Sequence, residues 1–296
     1  MPEIGNKIAN ADIDLIDETF SVTQSGSYHL SIQIEPDRLS FAVYNTVINK
    51  YIVLRSYPLF DVDPLQDDHA SSASAYRPFF ENDKLFRLSY KSSSLLWVSP
   101  RSTLVPDHLF DPAQAAVYMA FNHGVFAGEH ILYRYIWGAN SYCVFSCPEE
   151  LTSLARMRQP RIHFFHQLTP FIEAATSNTP SEGKADMTVF FYSRWLDVVI
   201  LKKDKLLFYN SYKINAPADS VYYLAGLSNL FDIDLKSVTI KYAGNLQQAP
   251  PEIAILTGFV DCLEECEQPK AFTYSQRITD PLRKNFINLF NLYRCE

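Results

Sequence analysis

Glycine is scarce in this chain, with 9 in 296 residues, about 3% against the roughly 7% usual in proteins. Loops that cradle phosphate draw on glycine where backbone must come close to a ligand, so chemistry built on such loops starts with few residues to use. Clustered positive charge is missing too. The net charge is -7 and the pI near 5.5, and no run of like charges builds a basic patch, which excludes nucleic acid as an expected partner by simple repulsion. Long apolar runs are absent. Met1 to Glu18 carries Glu3, Asp12, Asp14, Asp17 and Glu18 and reads as neither a signal peptide nor a membrane span. With no export signal, five cysteines read as reduced thiols of a cytoplasmic protein. The Gly-x-Ser-x-Gly, His-Glu-x-x-His and Gly-x4-Gly-Lys-Ser/Thr patterns do not occur, which removes the common serine-hydrolase, zinc-protease and P-loop readings.

What the chain does contain is a strand triplet used twice. Leu30-Ser31-Ile32-Gln33-Ile34, Leu39-Ser40-Phe41-Ala42-Val43 and Tyr51-Ile52-Val53-Leu54 are short apolar runs separated by polar turns, closing on Ser56-Tyr57. Met187 to Phe191, Asp197 to Leu201 and Leu206 to Tyr209 repeat the layout and close on Ser211-Tyr212. Both read as three-stranded antiparallel meanders. In each half, helix and strand pairs follow. A meander followed by crossovers gives a mixed five-stranded sheet with helices on its faces. The length suits two domains, so the expectation is two similar α/β units. The first spans 1–178 with a hairpin insertion near 130–146, the second spans 185–296, and Thr179 to Lys184 links them. Pro58 to Pro78 reads as a polar loop, Phe79 to Leu88 as helical, Pro251 to Leu263 as a helix and Glu267 to Tyr274 as an irregular strand.

Duplicated in this way, the layout resembles the actin-like ATPase (ribonuclease H-like) architecture, in which two such halves face each other across a nucleotide cleft. More narrowly, Ser40 to Asn45, Thr103-Leu104-Val105-Pro106 with Leu109-Phe110, and Arg161 to His166 are similar to an uncharacterised bacterial family, domain of unknown function 3822, with this fold and no assigned activity. The resemblance implies that the first turn of each meander should cradle phosphate through an Asp-x-Gly pattern, where the acid holds hydrated magnesium and the glycine frees backbone N–H groups. Here the first turn reads Glu35-Pro36-Asp37-Arg38, without glycine and with a proline that has no N–H to give. The second reads Tyr192-Ser193-Arg194-Trp195, again without glycine. The adenosine motif, a strand ending in Gly-Gly, falls on Ile240 to Asn245 and keeps only Gly244. Three departures together argue against ATP hydrolysis by this route, and no cofactor is expected. ATP with magnesium is what the resemblance would otherwise supply.

Several constellations have two readings. Asp37, Arg38, Ser193 and Arg194, with Gly244 and Asn245, form a candidate ligand cleft in which two arginines hold an anion; alternatively the arginines sit in solvated turns and pair with nearby acids. Cys143, Cys147, Cys262 and Cys266, with His163 and His166, offer soft ligands for zinc, yet the spacing favours buried thiols, and no metal is expected. Asp61 to Asp68 reads as a solvated acidic loop. The aromatic stretch Tyr118 to Trp137 is placed to serve a partner, although core packing explains many of these rings equally well. The reading is therefore a non-catalytic, degenerate ATPase working as a protein-interaction or scaffold module. The alternative is a diverged small-molecule kinase or phosphatase, or an anion-sensing regulator. The expected partner is a protein, a second copy of the chain among the candidates.

Overall fold

The computed structural model describes residues 10–59, 69–124, 127–177, 185–203, 205–244, 251–268 and 271–296. In chain order the first half runs β1 (Ile13–Ile16), β2 (Tyr28–Glu35), β3 (Arg38–Asn45), β4 (Lys50–Pro58), α1 (His69–Asn82), β5 (Ser92–Trp97), β6 (Ser102–Pro106), α2 (Ala115–Asn122), β7 (Glu129–Ile136), β8 (Ser141–Pro148), α3 (Glu149–Arg158), β9 (His163–His166) and α4 (Leu168–Ser177). The second half runs β10 (Ala185–Phe191), β11 (Trp195–Lys202), β12 (Lys205–Lys213), α5 (Ala218–Phe231), β13 (Thr239–Gly244), α6 (Pro251–Leu256), β14 (Cys262–Glu265), β15 (Thr273–Tyr274), α7 (Asp280–Asn285) and α8 (Ile287–Asn291).

The duplicated core is plain in the strand order. The first sheet contains β4-β3-β2-β5-β9 and the second is β12-β11-β10-β13-β14. In each, the meander is antiparallel and the two later strands are parallel. The period-two pattern of β2 and β3 sends Leu30, Ile32, Leu39 and Phe41 into the main core. Their neighbours face the other side of the sheet, where Ala42 and Tyr44 meet the C-terminal helices. Both faces of the sheet are covered, so every position of β2 is buried. Among the described residues, no helix is long and apolar enough to cross a membrane.

Tertiary contact overrides several local expectations. The 58–78 stretch is not all loop: α1 begins at His69, because Tyr76, Phe79 and Phe80 find burial against the core. It ends at Asn82, where Asp83 caps the following turn by accepting from Leu85 N at 2.8 Å. The helix expected to Leu263 stops at Leu256, and of the strand expected over Glu267 to Tyr274 only Thr273–Tyr274 forms, while a further strand, Cys262–Glu265, runs parallel to β13. Residues 271–296, read in sequence with the second unit, return to the first. There β15 pairs with β4, Tyr51 Oη donates to the Phe290 carbonyl at 2.5 Å, and Ile278, Phe286, Leu289 and Phe290 pack on Ala42, Tyr44, Tyr51 and Leu54. The insertion is larger than one hairpin. It is a third sheet, β6-β8-β7, with α2 laid on its outer face through Ala115 and Met119. The linker 179–184 lies outside the described residues.

Candidate functional site

The two meander turns meet at the seam between the halves. In the first turn, Glu35 and Arg38 are opposite one another, and Leu59 N donates to the Asp37 carbonyl at 2.8 Å. Arg38 is held along the sheet edge, donating to Asp12 Oδ2 at 2.7 Å and Ser56 Oγ at 2.6 Å. Glu35 is the carboxyl that turns inward. Gln33 Nε2 donates to it, and its pKa is pushed up to about 7 by burial first and then by the Asp37 charge, against the pull of Gln33 and Arg38.

The second turn is closed by aromatic rings. Tyr192 N donates to the Trp195 carbonyl at 2.9 Å, the Tyr192 ring stacks on Phe190 at 4.6 Å and on Trp195 at 5.1 Å, and Trp195 is 1% exposed. All three rings belong to the same core as the first half's Leu39 and Phe41. Burial drives the Tyr192 phenol far above its ordinary range, with the charges of Asp197 and Glu35 adding to the effect, and Asn288 Nδ2 of α8 donates to Tyr192 Oη at 3.3 Å. Ser193 and Arg194 stand exposed at the tip, where the Arg194 carbonyl accepts from Ile214 N. Gly244 is required by fit: its φ is +136° and a Cβ would lie 2.2 Å from the Phe191 carbonyl oxygen. Asn245 and Asp61 to Asp68 lie outside the described residues.

A polar bridge that the sequence reading missed ties the halves together. Gln167, just before α4, pairs with Ser99 through both amide atoms, at 2.6 and 3.0 Å, and reaches Asp197 Oδ2 on β11 at 3.3 Å. Ser211 Oγ of β12 donates to Asp197 Oδ1 at 2.5 Å. Asp197 is fully buried, and burial pushes its pKa up to about 7 against these hydrogen bonds. His166 accepts from Leu168 N at Nδ1 and donates to the Ser99 carbonyl from Nε2; burial lowers its pKa to about 3, so the ring stays neutral. One signal was available: an acid standing in an otherwise apolar strand run. Between α4, α8 and the second sheet lies a small pocket of about 30 Å³ whose lining includes Phe171, Asp186, Thr188, Lys241 and Asn288, room enough for ordered water.

Cys143 and Cys147 are buried in β8, and burial raises both thiols far above their ordinary range. Burial also pushes Cys266 up to about 12. His163 is exposed while His166 is buried. Among the described residues, no three His, Cys, Asp or Glu side chains are placed to hold a metal ion. The inserted sheet carries a connected set of rings, with Phe110 stacked on Tyr142 at 3.9 Å and Tyr135 edge-on to Trp137 at 4.9 Å. Above it, the outer side of α2 exposes Val117 and Phe121, the latter 88% exposed, and Trp137 at the hairpin tip is 81% exposed.

A family model described as "Protein of unknown function (DUF3822)" matches residues 17–260. No curated protein matches the chain. Among solved structures, a Bacteroides thetaiotaomicron protein with actin-like ATPase fold and unknown function is 21% identical, covering 94% of this chain and 100% of that one, with a TM-score of 0.79. The PilM-PilN type IV pilus biogenesis complex contains a chain 12% identical, covering 89% of this chain and 97% of that one, with a TM-score of 0.55. At these identities the likeness is one of fold, and the fold is the two-domain actin-like ATPase architecture.

Proposed function

The chain belongs to the DUF3822 family of proteins of unknown function, and from that premise we propose that it is a non-catalytic, cytoplasmic actin-like protein that binds a protein partner through its inserted third sheet. The observation that carries this is Trp195, which directly follows the second meander turn and is buried in a core shared by both halves. A cleft must hold phosphate oxygens within reach of backbone N–H groups. Here the second turn has no glycine and is followed by Trp195, whose indole is stacked on Tyr192 in the core, Pro36 gives no N–H in the first turn, and Arg38 is committed to Asp12 and Ser56. On the inserted unit Val117, Phe121 and Trp137 are exposed, and the two aromatic rings are of the kind enriched at protein interfaces. That a chain of this fold occurs in the PilM-PilN complex is a precedent for such work.

Thermal unfolding with ATP, ADP and other phosphate compounds, with and without magnesium, tests the first part. A ligand at a hundred times its dissociation constant would add about 2.7 kcal/mol and raise the midpoint by several degrees. The expected result is no shift, and a magnesium-dependent rise with ATP would overturn the reading. For the second part, a partner captured by the wild-type chain should be lost with Val117→Asp/Phe121→Asp, while the unfolding midpoint stays put.

A further inference from the structure

A second surface, on the opposite half, has its own logic. Over its 14 residues α5 carries one charged side chain, Asp219, and that carboxylate is occupied by Asn215 N at 2.8 Å and Ala216 N at 3.0 Å. The inner side of the helix is spent on the core through Leu224 and Leu227. The outer side exposes Ala218, Tyr222, Gly226 and Leu230 at four-residue steps, with Tyr222 75% and Leu230 70% exposed. Tyr223 stacks on Tyr212 at 4.4 Å and meets Tyr222 edge-on at 5.4 Å, bracing one wall of a surface groove of about 560 Å³.

Gly226 is the telling residue. It sits in mid-helix, where glycine is disfavoured. A Cβ added there would meet nothing within 4 Å, and the φ lies outside the left-handed region, so nothing within the fold calls for glycine. What glycine does offer is a hole in an otherwise bulky stripe, deep enough for a foreign side chain to reach the helix backbone.

We propose that this face takes a second copy of the same chain, in an antiparallel helix pair about a two-fold axis. The spacing is self-complementary. In that register Tyr222 of one copy falls on Gly226 of the second copy and Leu230 falls on Ala218 of the second copy, so that each large side chain enters a gap left by a small one. The two-fold repeats every contact. Charge sets the cost. A net charge of -7 on each copy opposes association, and α5, with one charged side chain in 14 residues, is a face on which two copies meet with little local repulsion. A partner recognised by its charge would find nothing here to read. The surface is distinct from the inserted sheet, so the inference stands independently of the proposed partner.

Sedimentation velocity of the full chain from about 1 µM to 1 mM tests it, the range in which a small helix-mediated dimer dissociates. A reversible dimer is expected. Tyr222→Glu and Leu230→Glu should each weaken it at least about tenfold with the unfolding midpoint unchanged, since both side chains are exposed. Gly226→Ala separates fold from association by sign: it should raise the unfolding midpoint, because alanine is the better helix former, yet weaken the dimer by filling the hole. Under oxidation, Tyr222→Cys chains mixed with Gly226→Cys chains should cross-link faster than either alone. A wild-type chain that stays monomeric across the range overturns the proposal and assigns the face to another partner. So does a dimer indifferent to the glutamate variants, or a mixed cross-link no faster than the unmixed ones.

Discussion

At the scale of the residue, the buried acids set the chain's response to pH. Asp197 keeps its proton to about pH 7 in the folded state, whereas in the unfolded chain it is released near the ordinary carboxylate value. The folded state therefore binds more protons in between, and its stability falls as pH rises from about 4 to 7, by at most about 1.4 kcal/mol per pH unit for each such group. Glu35 acts in the same sense. Replacing Asp197 by Asn removes one of the two, so denaturant titrations should show wild type losing ground to Asp197→Asn across that window and none above it. A flat difference would show that the carboxyl is not held neutral. Trp195→Ala should cost about 3–5 kcal/mol by the cavity it leaves. Trp195→Phe should cost much less, because it keeps most of the packing and removes an indole N–H that has no hydrogen-bond partner among the described residues. Gly244→Ala should unfold the second half's seam edge, since its Cβ has only the Phe191 backbone to push against.

At the scale of the element, the strands were far more legible than their surroundings. Four of the six meander strands run within two residues of their sequence pattern and the other two, β4 and β12, extend four residues beyond it at the C-terminal end, because alternation of apolar positions is a local signal. The misread elements share one cause. α1 is poor in long apolar side chains before Tyr76, β14 is the short run Cys-Leu-Glu-Glu, and β15 is two residues long. Each forms because a neighbouring sheet or core receives it, a gain that no local window contains. The C-terminal elements make this measurable. Tyr51→Phe removes the hydrogen bond that ties β4 to the Phe290 carbonyl, so it should cost about 0.5–1.5 kcal/mol, read as a lower denaturation midpoint at constant slope.

At the scale of the molecule, the repeat in the chain does not produce two independent bodies. Phe190, Tyr192, Trp195, Val199 and Leu201 of the second half lie in the same core as the first half's sheet, Gln167 bridges to Asp197, and residues 271–296 cross back to cover the first sheet. Calorimetry should accordingly show one unfolding transition rather than two, with the calorimetric and van't Hoff enthalpies equal. Two resolved transitions would mean that the shared core contributes little to stability. Deleting residues 271–296 should expose Ala42, Tyr44, Tyr51 and Leu54 and destabilise the first half, although every strand of its meander remains.

The duplicated mixed sheets, their meanders and the absence of glycine from both meander turns could be read from the chain alone, because strand period and backbone permissiveness are properties of neighbouring residues. The candidate cleft was only partly readable. The chain placed Arg38 and Arg194 in equivalent turns, while the fold binds Arg38 to Asp12 and Ser56 and turns Glu35 inward instead. The seam's closure by Tyr192 and Trp195, the neutral Asp197 and His166, and the return of the C-terminus to the first sheet were decided by tertiary structure. Burial and desolvation arise between residues far apart in sequence, and only the folded chain brings them together.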